Sequence, residues 1–297
     1  MKIKNIINKL IINTNKFQSN FEYKAEQLTN FTLNSNISGI SQENYSSNEV
    51  IVSLTTYGRR FYEVYLAIES IMQQSLKPNK IILWISEDYK NIKLPLTLKL
   101  QKERGLEINY CKDILSYKKL IPSLKLFPEA IIITIDDDCL YHFDLIENLV
   151  IAYKNEPDLI HSARIHRMKL IKKNKFEKYR KWIRNYQNFD ISPLNFPTGG
   201  AGTLYPPHCF NEEIFNENIF LEICKYADDV WFKAMSLLKG TMSKKVFTHN
   251  KNGKDYISNE NNQDIGLARL NLAKNMNDIQ IKSVFDRYDL YNKLNLF

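Results

Sequence analysis

Three consecutive carboxylates, Asp136, Asp137 and Asp138, close the apolar run Ile131-Ile132-Ile133-Thr134-Ile135. Carboxylates this crowded repel one another and lose hydration beside a core, so they persist where a cation or a donor network compensates them. Hard divalent cations such as Mg²⁺ and Mn²⁺ take oxygen ligands and commonly bridge one or two carboxylates to substrate phosphates. The plainer alternative is a solvated acidic turn ahead of the next helix, for which one Asp would suffice.

A second acidic pair, Asp228-Asp229, stands in Tyr226-Ala227-Asp228-Asp229-Val230-Trp231 at the expected start of a helix. One of the two could cap that helix while the other projects as a general base, and adjacency raises one pKa of the pair. Between the acidic groups lies Pro197-Thr198-Gly199-Gly200-Ala201-Gly202. Its three glycines let backbone amides approach a ligand closely, Gly200 and Gly202 among them; a Gly-rich turn with no ligand is the alternative. His249, after the strand expected to end at Thr248, is either a further metal ligand or a structural histidine.

The elements that must position these groups follow from the hydrophobic pattern. Short apolar runs at 50–54, 81–85, 106–111 and 131–135 read as buried strands. Helical patterns at about 60–74, 96–103, 117–126 and 143–154 alternate with them. That alternation predicts an α/β fold with a mainly parallel sheet covered on both faces, whose ligands bind at the carboxyl ends of the strands. Farther on, the pattern predicts a helix at 229–238, a strand at 242–248 and a C-terminal helix at 263–275. The expected organisation is an N-terminal amphipathic helix and loose linker (1–48), a catalytic domain (49–250) and a helical extension (251–297).

The charge is concentrated. His166 to Arg184 holds nine Lys and Arg against one Glu, which accounts for the whole formal excess of +8. The rest is balanced, which argues against a protein coated in positive charge for nucleic acid; the basic segment either meets something anionic or is simply solvated. Residues 1–17 pattern as an amphipathic helix with a lysine-rich face, which either lies on an anionic membrane surface or packs on protein. No segment approaches the ~20 apolar residues of a membrane span. Neither a signal peptide nor metal-type cysteine spacing is expected, so reduced thiols in a cytoplasmic protein are the simplest reading.

Taken together, VSLTTYGRR, YKKLIPSLK, IITIDDDCLY, FPTGGAGTLYPP and ADDVW, in this order between Glu49 and Asn250, resemble the GT-A superfamily of glycosyltransferases. The likeness is to bacterial family-2-type enzymes that build surface polysaccharides. It implies a Rossmann-like sheet whose first half holds a nucleotide and whose second half holds the acceptor. Asp136-Asp137-Asp138 matches the DxD-type motif, which would put Asp136 on the ribose and Asp138 on a Mn²⁺ or Mg²⁺ bridging the diphosphate. Thr55 and Thr56 match the backbone that cradles the base, with Arg59 nearby, and Lys119 falls where a basic residue approaches the nucleotide. Asp229, second of the pair, would be the base that deprotonates the acceptor hydroxyl.

The chain departs from the pattern in two places. The Asp usual after the second strand is replaced by Trp84-Ile85-Ser86-Glu87, and three aspartates in a row leave the DxD register open. The resemblance implies transfer from a nucleotide sugar, UDP being the commonest nucleotide in the family, to a saccharide or lipid-linked acceptor, in an inverting displacement. The alternatives are a nucleotidyltransferase, a phosphatase, or a non-catalytic carbohydrate- or Ca²⁺-binding protein. The first would carry its Gly-rich loop directly after the first strand, and the second its acidic motif there.

Overall fold

The computed structural model describes residues 20–172, 175–247, 256–259 and 275–294. A seven-stranded sheet forms its centre. From one edge to the other run β12 (Ser243–Lys245), β6 (Ile160–Ser162), β11 (Thr203–Tyr205), β4 (Ile131–Thr134), β1 (Val50–Thr55), β2 (Lys80–Ser86) and β3 (Leu106–Cys111). The strands β4, β1, β2 and β3 are mutually parallel, as β12 is with β6. Only β11 runs against its neighbours, β4 and β6. The expected mixed, mainly parallel α/β sheet is therefore present.

Residues of β1, β2 and β4 are buried on both faces, as near-continuous Val/Ile/Leu runs require in a covered parallel sheet. Their alternation divides the core. Val50, Val52 and Leu54 face α2 (Val64–Met72) and α5 (Leu145–Asn155), whereas Ile51, Ile82 and Ile132 share the other face with α7 (Asp228–Lys239). The short helices α3 (Leu96–Glu103), α4 (Ile121–Leu126) and α6 (Glu217–Ile223) complete the cover.

Several expectations are corrected. Residues 20–34, read as linker, form a helix, α1, that buries Leu28 and Thr32. The Thr32 hydroxyl donates to Glu69, a fully buried carboxylate that also receives a bidentate guanidinium from Arg104 at 2.9 and 3.0 Å. The Gly/Pro stretch contains β11, at the middle of the sheet. The strand expected at 242–248 is three residues long.

Helices α8 (Met276–Arg287) and α9 (Leu290–Leu294) bury Ile281, Val284, Phe285, Leu290 and Leu294 in the same core as Trp231 of α7. The amphipathic pattern at 1–17, His249 and nearly all of the helix expected at 263–275 lie outside the described residues.

Candidate functional site

The carboxyl ends of β1 and β4 open onto a cavity of about 440 Å³. The acidic triplet follows β4 directly, as a turn into the short strand β5 (Cys139–Tyr141). One tyrosine fixes that turn: the Tyr141 hydroxyl accepts the Asp136 backbone N–H at 2.8 Å and donates to the Gly200 carbonyl at 2.7 Å. A single phenol thus ties the acidic turn to the glycine loop. The approach is close enough that a Cβ on Gly200 would lie 2.1 Å from Asp136 Oδ2.

The three aspartates have three environments. Asp137 is buried, accepting from the Thr56 hydroxyl at 2.6 Å and from Arg60 Nη1 at 2.9 Å. Burial and the neighbouring carboxylates push its pKa up to about 6 against the pull of Arg60 and Thr56. The other guanidinium nitrogen of Arg60 stands 3.0 Å from Asp138 Oδ2. Burial and the charge of Asp136 raise Asp138, Arg60 offsetting part of this. Asp136 is the most open of the three, and Lys119 Nζ lies 3.0 Å from its Oδ1. Burial would raise Asp136, but the lysine outweighs it and holds the carboxyl below its usual range.

Lys119 does double duty. Its ammonium also stands 2.9 Å from Asp228 Oδ2, so one buried cation joins the triplet to the second acidic pair. Burial disfavours its charge, yet Asp136, Asp228 and Asp229 together raise its pKa well above the ordinary lysine value. It rides on a 3-10 turn, Leu115–Lys119, anchored by Tyr117. That ring stacks on Phe220 with centroids 4.0 Å apart, and its hydroxyl donates to the Cys224 carbonyl at 2.6 Å.

Asp229, at the first turn of α7, accepts the Gly199 amide at 3.0 Å. Burial first, then the charge of Asp228, push its pKa to about 7, with Lys119 and the Gly199 amide opposing. A carboxylate balanced there holds or releases a proton near neutral pH, as a general base requires.

The remaining wall comes from distant segments. Arg164 lies just beyond β6; its Nε donates to Thr198 at 2.6 Å, and its guanidinium, 5.2 Å from the Tyr256 ring centroid, also bonds the Tyr256 hydroxyl. Tyr256 belongs to β13 (Tyr256–Ser258), which pairs antiparallel with β5. The next residue, Asn259, donates its backbone N–H to the Asp138 carbonyl at 2.8 Å.

The structure brings Thr55, Thr56, Lys119, all three aspartates, Gly200, Asp228 and Asp229 to one cavity. The Thr55 side chain is engaged by the sheet, donating to the Trp84 carbonyl at 2.8 Å. Arg59 is exposed and does not line the cavity; its neighbour Arg60 does. Gly202 sits outside it, at φ +97, where an added Cβ would lie 2.8 Å from the Leu145 side chain, so its role is conformational. Among the described residues, no group of three or more His, Cys, Asp or Glu side chains is arranged to hold a metal ion.

Arg60, Tyr141, Arg164 and Tyr256 were not singled out from the sequence. Arg60 could have been distinguished from Arg59 only by knowing that the chain enters a 3-10 turn at Gly58–Tyr62, which sends adjacent side chains in different directions. Tyr141 had a weak cue, being two residues past Cys139 in an extended run. Arg164 and Tyr256 had none, because their importance comes from the long-range pairing of β13 with β5.

No protein-family model matches this chain, and no curated protein matches it. Among solved structures it is similar to the crystal structure of S. aureus TarS 1–349, at 12% sequence identity, a TM-score of 0.46, and coverage of 83% of this chain and 70% of that one.

Proposed function

We propose that this chain is a glycosyltransferase of GT-A type that moves a sugar from a nucleotide-sugar donor to a saccharide or lipid-linked acceptor, in an inverting displacement. The observation that carries the reading is the meeting of Asp136-Asp137-Asp138 and Asp228-Asp229 across one ammonium, Lys119, beside a glycine loop in one cavity. A diphosphate leaving group calls for positive charge and backbone donors where charge develops, and an acceptor hydroxyl calls for a base within reach of the same centre.

With no three-ligand cluster among the described residues, a cation here would be one that takes two carboxylate oxygens and completes its shell with phosphates. Six carboxylates and four cationic side chains line the cavity, and Asp138 is raised partly by repulsion from Asp136, strain that a cation between them would relieve. Asp136 and Asp138 would hold Mn²⁺ or Mg²⁺ together with donor phosphates, in line with the sparing use of protein ligands by such ions. The ion would supply electrostatic stabilisation of the departing diphosphate.

The chain's own residues do the rest. Asp137, held by Thr56 and Arg60, fixes the turn from which Asp136 and Asp138 project. Thr55 and Thr56 edge the nucleotide end, and UDP is the nucleotide proposed. Lys119 holds Asp136 and Asp228 in register. Asp229, oriented by the Gly199 amide, takes the proton from the acceptor hydroxyl.

The reading extends to location. Ile171 and Ile183 are exposed within the basic segment, a combination suited to an anionic lipid surface and an acceptor held at the inner membrane face. No helix of the described residues is long and apolar enough to cross a membrane.

The test is a panel of nucleotide sugars incubated with the purified chain and Mn²⁺, with nucleoside diphosphate release as the readout. Slow donor hydrolysis that accelerates with added acceptor supports the proposal. Pyrophosphate release from a nucleoside triphosphate and a sugar 1-phosphate, run as a parallel assay, would indicate a nucleotidyltransferase instead, and no release in either assay would indicate a binding protein.

A further inference from the structure

Beyond Asp229 the cavity changes character. Its wall there is built from His166, Tyr179 and Phe196. The Tyr179 ring is held by neighbours, 5.0 Å from Trp182 and 6.1 Å from Phe196 between centroids, yet its hydroxyl has no hydrogen-bond partner among the described residues. The same hydroxyl feels Asp229: burial first, and then that carboxylate, push its pKa to about 12.

His166 is also prepared. Its Nδ1 accepts the Asn185 backbone N–H at 3.1 Å, so the proton of the neutral ring resides on Nε2. Burial, with Arg164 adding to it, pushes the imidazole pKa down to about 4, so the ring is an uncharged N–H donor across the physiological range. Asn277, at the start of α8, adds an amide to the same end.

We propose that His166, Tyr179 and Phe196 form the acceptor subsite, and that it takes an uncharged saccharide ring, its C–H face on the Tyr179 ring and its hydroxyls toward His166 and Asp229. This rests on the glycosyltransferase reading above. A sugar ring is the ligand whose two aspects match the wall, one apolar and one rich in hydroxyls. Asp229 acts on this wall from one side and Arg164 and Arg184 from the other, so the charges offset and the wall offers no one-signed patch to hold an anionic ring.

The test uses saturation-transfer NMR on the full chain with UDP and Mn²⁺. The probes are the methyl glycosides of glucose, galactose and N-acetylglucosamine, with methyl glucuronide as the anionic comparator. At least one neutral glycoside should bind more tightly than the glucuronide. Tyr179→Ala should weaken it by roughly tenfold and Tyr179→Phe by a smaller factor, since the latter keeps the ring and loses only the hydroxyl. Melting curves establish that each variant is folded; should Tyr179→Ala fail to fold, Tyr179→Phe and His166→Gln decide the matter.

The inference is overturned if no neutral glycoside binds, if the glucuronide binds best, or if the folded variants bind as wild type does. Glycoside binding that depends on Tyr179 in a chain that turns over no nucleotide sugar would leave the subsite standing and remove the transfer chemistry instead.

Discussion

The Gly199 amide donates to Asp229 Oδ1 at 3.0 Å, joining the glycine loop to the first turn of α7. This bond stabilises the charged form of a carboxylate that burial and Asp228 drive the other way, to about 7. Two pH effects follow, with opposite consequences for activity and stability.

For activity, the base form of Asp229 accumulates as pH rises through about 7, so kcat for transfer should climb through that point. For stability, the sign is reversed. Between about pH 4 and pH 7 the folded chain holds a proton that the unfolded chain has released, so stability falls as pH rises through that window. Asp229→Asn should therefore melt higher than wild type at pH 8, by roughly 1 kcal/mol in stability, with the gap closing toward pH 4. The same variant should lose transfer by ~10²-fold or more. Differential scanning calorimetry at the two pH values and a pH–rate profile check both.

The three aspartates should separate experimentally. Asp138→Ala should lower turnover by ~10²-fold with little change in melting temperature, because its loss removes charge from the donor end. Arg60→Ala should instead strike the fold, leaving Asp137 and Asp138 as buried carboxylates without their cation, at a cost of about 3–5 kcal/mol at pH 8. That cost should shrink by pH 5, where Asp137, at about 6, takes up a proton. Urea unfolding of both variants at the two pH values distinguishes the roles.

Two glycines in one loop make a paired test. A Cβ at Gly200 would press on Asp136 Oδ2, so Gly200→Ala should push the carboxylate off Lys119 and weaken UDP binding by roughly tenfold or more, measured calorimetrically with Mn²⁺. At Gly202 the obstacles are a positive φ and the Leu145 side chain, which a new Cβ would meet at 2.8 Å, so Gly202→Ala should cost roughly 1–3 kcal/mol of stability.

Lipid contact is tested by removing charge where the lysines are exposed. Substituting Lys169, Lys172, Lys175 and Lys178 with Gln should lower co-flotation with phosphatidylserine vesicles, each lysine near the surface contributing about 1 kcal/mol. Unchanged flotation would take the basic segment out of the membrane proposal.

The sheet was readable because its strands are buried on both faces, which writes them as unbroken apolar runs such as Ile131-Ile132-Ile133. Helix α3 was anticipated at the bounds it adopts, 96–103. Strand β11 was hidden for the opposite reason: three residues between Gly202 and Pro206 carry no periodicity, and only pairing with β4 and β6 makes them a strand. The acidic groups announced themselves by composition. What orients them did not, since Arg60 and Tyr141 act through angles that sequence order conceals. Helix α1 was missed because its polar face of Asn, Glu and Gln resembles a linker until Leu28 and Thr32 are seen to be inside.

The one strand of the central sheet that runs against its neighbours has a consequence for how the molecule comes apart. Strand β11 meets β6 through two register pairs, Thr203 with Ser162 and Leu204 with His161, whereas β2 and β3 share six. A sheet breathes where its pairing is shortest, and the join between β11 and β6, two register pairs extended by the Ala163 N–H bond to the Gly202 carbonyl, is its seam. Amide protons on β6 and β12 should exchange with deuterium well before those of β1 and β2. Residues 165–167 pair with 195–197, and Arg164 bonds Thr198, so a brief parting there would loosen the sheet's edge while this wall of the cavity holds together and the parallel strands beneath the triplet stay zipped.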